Sequence, residues 1–226
     1  MPTPVPDSVS TLLVDLDGTL VDTTFVHTMA WSLAFDDAGA PHQPMWLVHP
    51  LVGTGGDELV TRLVGEPSDE VVAAHARRFA EHLPGVRVLP GADDLLARVT
   101  ATGRRVCIVT SSGDEVADAL VALLGGTGAV DDVVHGGMVA TPGPDGSLIG
   151  LALERAGVPP TSALALGDSV WDVASASGAG VSCLGIESGG TARVDLYRAG
   201  AVDVFRDVRA LVDTWDAFGP GTAGAT

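Results

Sequence analysis

The 226-residue chain contains no lysine and no asparagine, and all twelve of its basic residues are arginine. Against 29 acidic residues this leaves a formal charge of −17. So acidic a chain lacks the basic patches that hold nucleic acid or anionic membranes, and both kinds of partner are excluded. A small anionic substrate is not excluded, because one focused cationic site can overcome a net field. The missing lysines fit the codon bias of a GC-rich genome. Aromatic residues are scarce, at 4%, so Ala, Val, Leu and Gly must fill the interior. The two cysteines, Cys107 and Cys183, each sit inside a short apolar run. Two such thiols point to a reducing compartment and not to a disulfide framework. There is no basic start followed by an apolar stretch, the mark of a signal peptide. No run reaches the roughly 18 apolar residues needed to span a membrane. Together these absences predict a cytoplasmic protein.

What is present is a large apolar content, 46% of residues, enough for a sizeable core. Residues 1–9 are proline-rich and read as loose, and residues 217–226 read as a disordered tail. Between them, short aliphatic runs at 11–14, 106–109, 130–134, 163–166 and 181–185 each lead into Gly, Ser, Thr or Asp. That is how parallel strands buried on both faces read. Helical patterns over 91–102, 114–124, 146–157, 170–179 and 191–199 alternate with them. This alternation predicts an α/β fold, a doubly wound Rossmann-like parallel sheet. Residues 23–88 break the alternation with helical patterns at 25–38, 58–64 and 70–83 and no clear strand. They read as an all-helical cap inserted into a core formed by 10–22 and 89–216. In the first of these helices Val26, Met29, Ala30, Leu33 and Ala34 mark the expected apolar face. An insertion leaving the carboxyl end of strand one would lie over the edge where open α/β sheets bind ligands.

The strand-end loops hold the chemistry. Strand one ends in "DLDGTLVD", with Asp15 and Asp17; strand two in "VTSSGD", with Thr110, Ser111 and Ser112; strand four in "LGDSVWD", with Asp168 and Asp172. Four carboxylates on one sheet edge repel one another and are costly to bury. A hard cation with oxygen ligands, most simply Mg²⁺, removes that conflict. A carboxylate beside such an ion can attack phosphorus, and a second can move the leaving group's proton. Thr110 and nearby backbone N–H groups could hold phosphoryl oxygens, although Thr110–Ser112 also suits an N-cap for the helix opening at Asp114.

These three motifs resemble the signatures of the haloacid dehalogenase superfamily, and with the helical insertion they resemble its phosphoglycolate-phosphatase and β-phosphoglucomutase branch. The resemblance implies a strand order of 5-4-1-2-3. It makes Asp15 the nucleophile and a Mg²⁺ ligand, and Asp17 the general acid/base with its backbone carbonyl on the metal. Thr110 becomes the phosphate-binding hydroxyl, with Ser111 as the alternative. Asp168 becomes a metal ligand and Asp172 a supporting carboxylate. In "HTMAW", His27 and Trp31 match a His-x-x-Ala-Trp of sugar-phosphate enzymes in the branch, though His27 also suits simple packing. Gly53 and Gly55 fall in "LVGTGGDELV", which resembles a cap loop that meets substrate; Gly56 stands where mutases carry arginine. Trp31 and Trp46 suit either a pocket or a core, and His49 and His135 read as structural or solvated.

One element departs from the pattern. "ATPGPDG" aligns with a lysine-bearing segment, but Thr141 stands at the lysine's position. Arg193 is the candidate substitute. The expected function is a Mg²⁺-dependent phosphatase, monomer or homodimer, hydrolysing a small phosphorylated metabolite such as a sugar phosphate or phosphoglycolate through an aspartyl-phosphate. The alternative is a catalytically impaired binding protein of the same fold. Asp17 speaks against dehalogenation.

Overall fold

The computed structural model describes residues 8–125, 127–139 and 144–215. The first strand, β1 (Thr11–Val14), is followed by four helices, α1 (Thr24–Asp37), α2 (Met45–Val48), α3 (Gly56–Val64) and α4 (Asp69–His82). Then α5 (Ala92–Ala101), β2 (Arg105–Thr110), α6 (Asp114–Val121), β3 (Asp132–His135), α7 (Ser147–Ala156), β4 (Ala163–Gly167), α8 (Val170–Gly178), β5 (Ser182–Ile186), α9 (Arg193–Ala199), β6 (Asp203–Phe205) and α10 (Val208–Thr214) alternate. All six strands are parallel, in the order β3-β2-β1-β4-β5-β6. The five expected strands take the expected order, and β6 extends the sheet beyond β5.

Strand residues alternate between two apolar layers, as the period of two requires. Leu12 and Val14 pack with Leu95, Leu96 and Leu211 on one face, while Leu13 and Cys107 pack with Leu148, Ala152 and Val173 on the other. Cys107 on β2 and Cys183 on β5 are free, buried and separated by β1 and β4. Burial pushes the Cys107 thiol up to about 12, so it carries no thiolate at neutral pH.

The helices between β1 and β2 have an apolar cluster of their own, which includes Trp31, Phe35, Leu59, Val60, Val71 and Ala74. They join the sheet layer through two adjacent extended segments. Val21 bridges Val88, the Asp22 N–H donates to Arg87 O at 2.9 Å, and the Leu89 N–H donates to Leu20 O at 2.8 Å. The buried face of α1 differs from the expected one. Val26, Met29 and Leu33 are only half-buried, whereas His27, Ala30, Trp31, Ala34 and Phe35 are buried. Polar Thr24, Thr28 and Ser32 are buried as well. Two of them are satisfied locally, the Thr28 hydroxyl on Thr24 O and the Ser32 hydroxyl on Gln43 O. The outer stripe of α1, at Phe25, Met29, Leu33 and Asp36, is itself largely apolar, so apolar spacing does not mark the side that packs on α4 and reaches Asp17 through His27.

Val9, expected in the loose leader, is 6% exposed and packs in the core, with its carbonyl accepting from Arg104 Nε at 2.9 Å. Residues 1–7 and 216–226 lie outside the described residues, and with them the expected tail. Among the described residues no helix is long and apolar enough to cross a membrane.

Candidate functional site

The carboxyl ends of β1, β2 and β4 meet beneath α1 and α4 around a cavity of about 500 Å³, within the roughly 300–1,000 Å³ of small-molecule sites. Asp15, Asp17, Thr110, Ser111, Asp168, Asp172, His27, Gly53 and Gly55 all line it. Thr141 lies outside the described residues; Pro144, three positions on, lines the same cavity.

The four aspartates separate into two groups. Oxygens of Asp15, Asp168 and Asp172 lie within 4.8 Å of one another, an oxygen-only donor set that suits a hard divalent cation. Burial, followed by mutual repulsion, holds Asp15 and Asp168 well above the ordinary carboxylate range. Burial raises Asp172 as well. Their supports come from close by. The Thr19 hydroxyl donates to Asp168 Oδ1 at 3.1 Å. The Ser169 N–H and hydroxyl donate to Asp172 Oδ2 at 2.9 and 2.6 Å, closing a capping box on α8.

Asp168 is enclosed by glycine. At Gly18, with φ +80°, an added Cβ would lie 2.7 Å from Asp168 Oδ2; at Gly189 it would overlap that oxygen. Gly189→Ala is therefore expected to displace the carboxylate and to cost about 1–3 kcal/mol of stability by overpacking. Thermal melting and a divalent-cation titration, each against the wild type, would read the two losses.

Asp17 faces the other way. Its Oδ1 accepts from the Thr23 hydroxyl at 2.7 Å and from His27 Nε2 at 3.0 Å; its Oδ2 accepts from the hydroxyls of Thr110 at 3.1 Å and Ser112 at 2.8 Å. Burial alone would raise this carboxyl. The pull of the His27 ring and the hydrogen bonds from His27, Thr23 and Ser112 outweigh burial and bring it to about 2. His27 Nδ1 lies 3.0 Å from His75 Nε2, so one proton is shared between those two nitrogens. The rings are clamped by stacking, His27 on Phe79 at 4.0 Å and His75 on Trp31 at 3.7 Å. Burial, and then His27, push His75 well below its ordinary value.

Sequence reasoning missed His75 and Thr23, and it placed Ser112 in the strand-two loop without giving it a role. His75 sits inside a regular helical pattern 48 residues from His27, and nothing local marks it. Arg193 does not reach the carboxylates. Its guanidinium donates to Val204 O and pairs with Glu187 at 2.6 Å, because α9 begins at the far side of β5 and faces β6. Trp46 lines neither pocket nor core and is 73% exposed. Trp31 is buried and lines the cavity. His49 Nε2 donates to Gly189 O at 2.9 Å and Trp171 Nε1 donates to Pro50 O at 2.8 Å, which ties the helical segment to the β4 and β5 loops.

Residues 9–180 match the family model of haloacid dehalogenase-like hydrolases. The chain is 34% identical to a phosphoglycolate phosphatase of Rhodospirillum rubrum over 95% of each chain. Among solved structures it resembles a hydrolase from Pseudomonas syringae, with TM-score 0.86 and 28% identity over 93% of this chain and 100% of that one. It also resembles CbbY from Rhodobacter sphaeroides in complex with phosphate, with TM-score 0.73 and 26% identity over 90% and 96%.

Proposed function

The chain belongs to the haloacid dehalogenase-like hydrolases and is a phosphatase of that family; from that premise we propose that it hydrolyses a small phosphate monoester through a phosphorylated Asp15, with Mg²⁺ as cofactor. The observation that carries this reading is the division of the aspartates, three gathered for a cation and one held apart by proton donors. Residues 10–22 and 89–216 would form the core and 23–88 the cap, a division supported by the separate apolar cluster of the helices. A cytoplasmic location fits the two free cysteines.

Asp15, Asp168 and the Asp17 backbone carbonyl would hold the ion, with Asp172 beside them. Bound there, Mg²⁺ would neutralise the carboxylates and the phosphoryl oxygens. The Asp15 carboxylate attacks phosphorus as the bond to the alcohol oxygen breaks, and that oxygen takes a proton from Asp17. Water then loses a proton to Asp17 and attacks the phosphoryl group, which releases phosphate and restores Asp15.

An acid at about 2 cannot donate at neutral pH, and the hydrogen bonds of Asp17 suggest how it becomes one. Thr110 and Ser112 donate to Asp17 in the free site. When they turn to phosphoryl oxygens, Asp17 loses their support and gains an anionic neighbour. Both changes raise its pKa toward the working range.

The test is release of phosphate from phenyl phosphate with excess Mg²⁺, abolished by a chelator. No turnover by a folded, metal-loaded sample would overturn the reading. Metal-linked stability supplies a second readout. The folded pKa values of Asp15, Asp168 and Asp172 are raised, so the folded state keeps protons that the unfolded chain has lost. Metal-free stability therefore falls as pH rises from about 4 through those raised values. Mg²⁺ replaces the protons, so its stabilisation should grow with pH. At about 100 times Kd it amounts to about 2.7 kcal/mol, or about 5–10 °C in melting temperature.

A further inference from the structure

The cavity that would receive the substrate has no arginine or lysine in its wall, and the two histidines there are engaged with Asp17 and with each other, His27 Nε2 on Asp17 and His27 Nδ1 on His75 Nε2, both at 3.0 Å. None of the twelve arginines lines it, the chain has no lysine, and the residues outside the described ones include neither type. Arg62 comes near, on α3, but its guanidinium carbon sits over the Trp171 ring, 4.8 Å from the centroid, and its Nε donates to Glu58 at 2.7 Å. The charged groups that do face the space are acidic. Asp114 and Glu115 stand at the mouth, beyond the four aspartates at the floor.

Opposite the aspartates the wall is apolar and aromatic. Trp31 stacks on His75 with rings 7° from parallel, and Leu59, Val72 and Ala76 continue that surface along α3 and α4. Trp171 is held on the sheet side by its hydrogen bond to Pro50 O. Gly56 makes room for this wall, since a Cβ there would lie 3.2 Å from Trp31 Cη2. The position that could project a side chain into the space instead brings an indole against the loop.

Resting on the phosphatase reading above, we infer that the substrate is the phosphate monoester of an uncharged alcohol with an apolar, ring-sized face, and not a phospho-carboxylate or a bisphosphate. A second anion in this cavity would give up its hydration for a surface with no arginine or lysine, with His27 already paired to Asp17, and with two acidic groups at the entrance. A neutral ring would bury against Trp31 and the aliphatic side chains, where aromatic contact is favourable. The phosphoryl group itself would be met at the floor, by a cation held on Asp15 and Asp168 and by the hydroxyls of Thr110 and Ser112.

Benzyl phosphate and 2-phosphoglycolate test this, because both are esters of a primary alcohol and differ in what that alcohol carries. Binding is measured by calorimetry on Asp15→Asn protein loaded with Mg²⁺, so that the answer does not depend on turnover. Benzyl phosphate should bind at least about tenfold more tightly, the scale of one unmatched charge in a partly shielded site. Equal affinities, tighter binding of phosphoglycolate, or binding of neither compound would overturn the inference. Ala76→Arg, on an exposed helical position, should shift the ratio toward phosphoglycolate by about tenfold. An unchanged ratio would show that the leaving group does not lie along α4, and would also overturn it. Wild-type hydrolysis of phenyl phosphate is scored separately, so failure of the phosphatase reading cannot be mistaken for failure of this one.

Discussion

Asp15→Asn protein is expected to fold, to melt higher than the wild type without divalent cations, and to lose at least about 10⁴-fold in turnover of any phosphate monoester. The opposite signs come from one cause. Asp15 is buried against Asp172 and Asp168, and desolvation and repulsion raise its carboxyl well above the ordinary range. The amide keeps the shape and removes the charge that repels its neighbours. The relief is on the order of 1 kcal/mol, or about 2–4 °C in melting temperature for a domain of this size. The same amide is no nucleophile toward phosphorus and forms no acyl phosphate. Melting curves in chelator and phosphate release in Mg²⁺ check both halves. A variant that melts lower without metal, or that keeps more than a trace of activity, would contradict the account.

Thr141→Lys should raise kcat by about 10²–10³, the typical worth of one preorganised group that stabilises developing charge. The reason is a deficit of positive charge. Arg193 is committed to Glu187 and Val204, no arginine lines the cavity, and no lysine exists in the chain. Apart from a metal, the phosphoryl oxygens would meet only hydroxyl and backbone donors. Steady-state kinetics on phenyl phosphate decide it. A large gain with kcat rising more than KM falls would mean that the natural protein is a slow phosphatase, or one closer to the binding role that is the alternative reading. No gain would mean that the donors already present suffice.

The sheet was legible because each inner strand is an aliphatic run that ends in a polar turn, a pattern local enough to read from a few residues. Thr11–Val14 is where it was expected to the residue. The sixth strand and α10 were not legible: Asp203–Phe205 is three residues long and Val208–Thr214 is seven, too short for either period to stand out. At the site, Asp15, Asp17, Asp168 and Asp172 were visible because a turn places each pair at a strand end. The orientation of Asp17 was not. That depends on Thr23, Ser112 and the His27–His75 contact, which the folding of α1 against α4 brings together. The buried face of α1 was misread for a related reason. The period of an amphipathic helix assumes a polar wet side, and the outer stripe of α1 carries Phe25, Met29 and Leu33.

The meeting of Val21 and Val88 also bears on how such a chain can change. The 66 residues between them leave and re-enter the sheet layer as adjacent paired segments. For the sheet, closing that long excursion amounts to forming one short bridge. The cost of chain closure grows only logarithmically, about 0.6 kcal/mol for each doubling of length. The helical segment can therefore be lengthened, shortened or exchanged for another with little effect on strand order. What such a replacement would alter is the wall facing the aspartates, so selectivity is the property most open to grafting, while the strand-end chemistry stays in place.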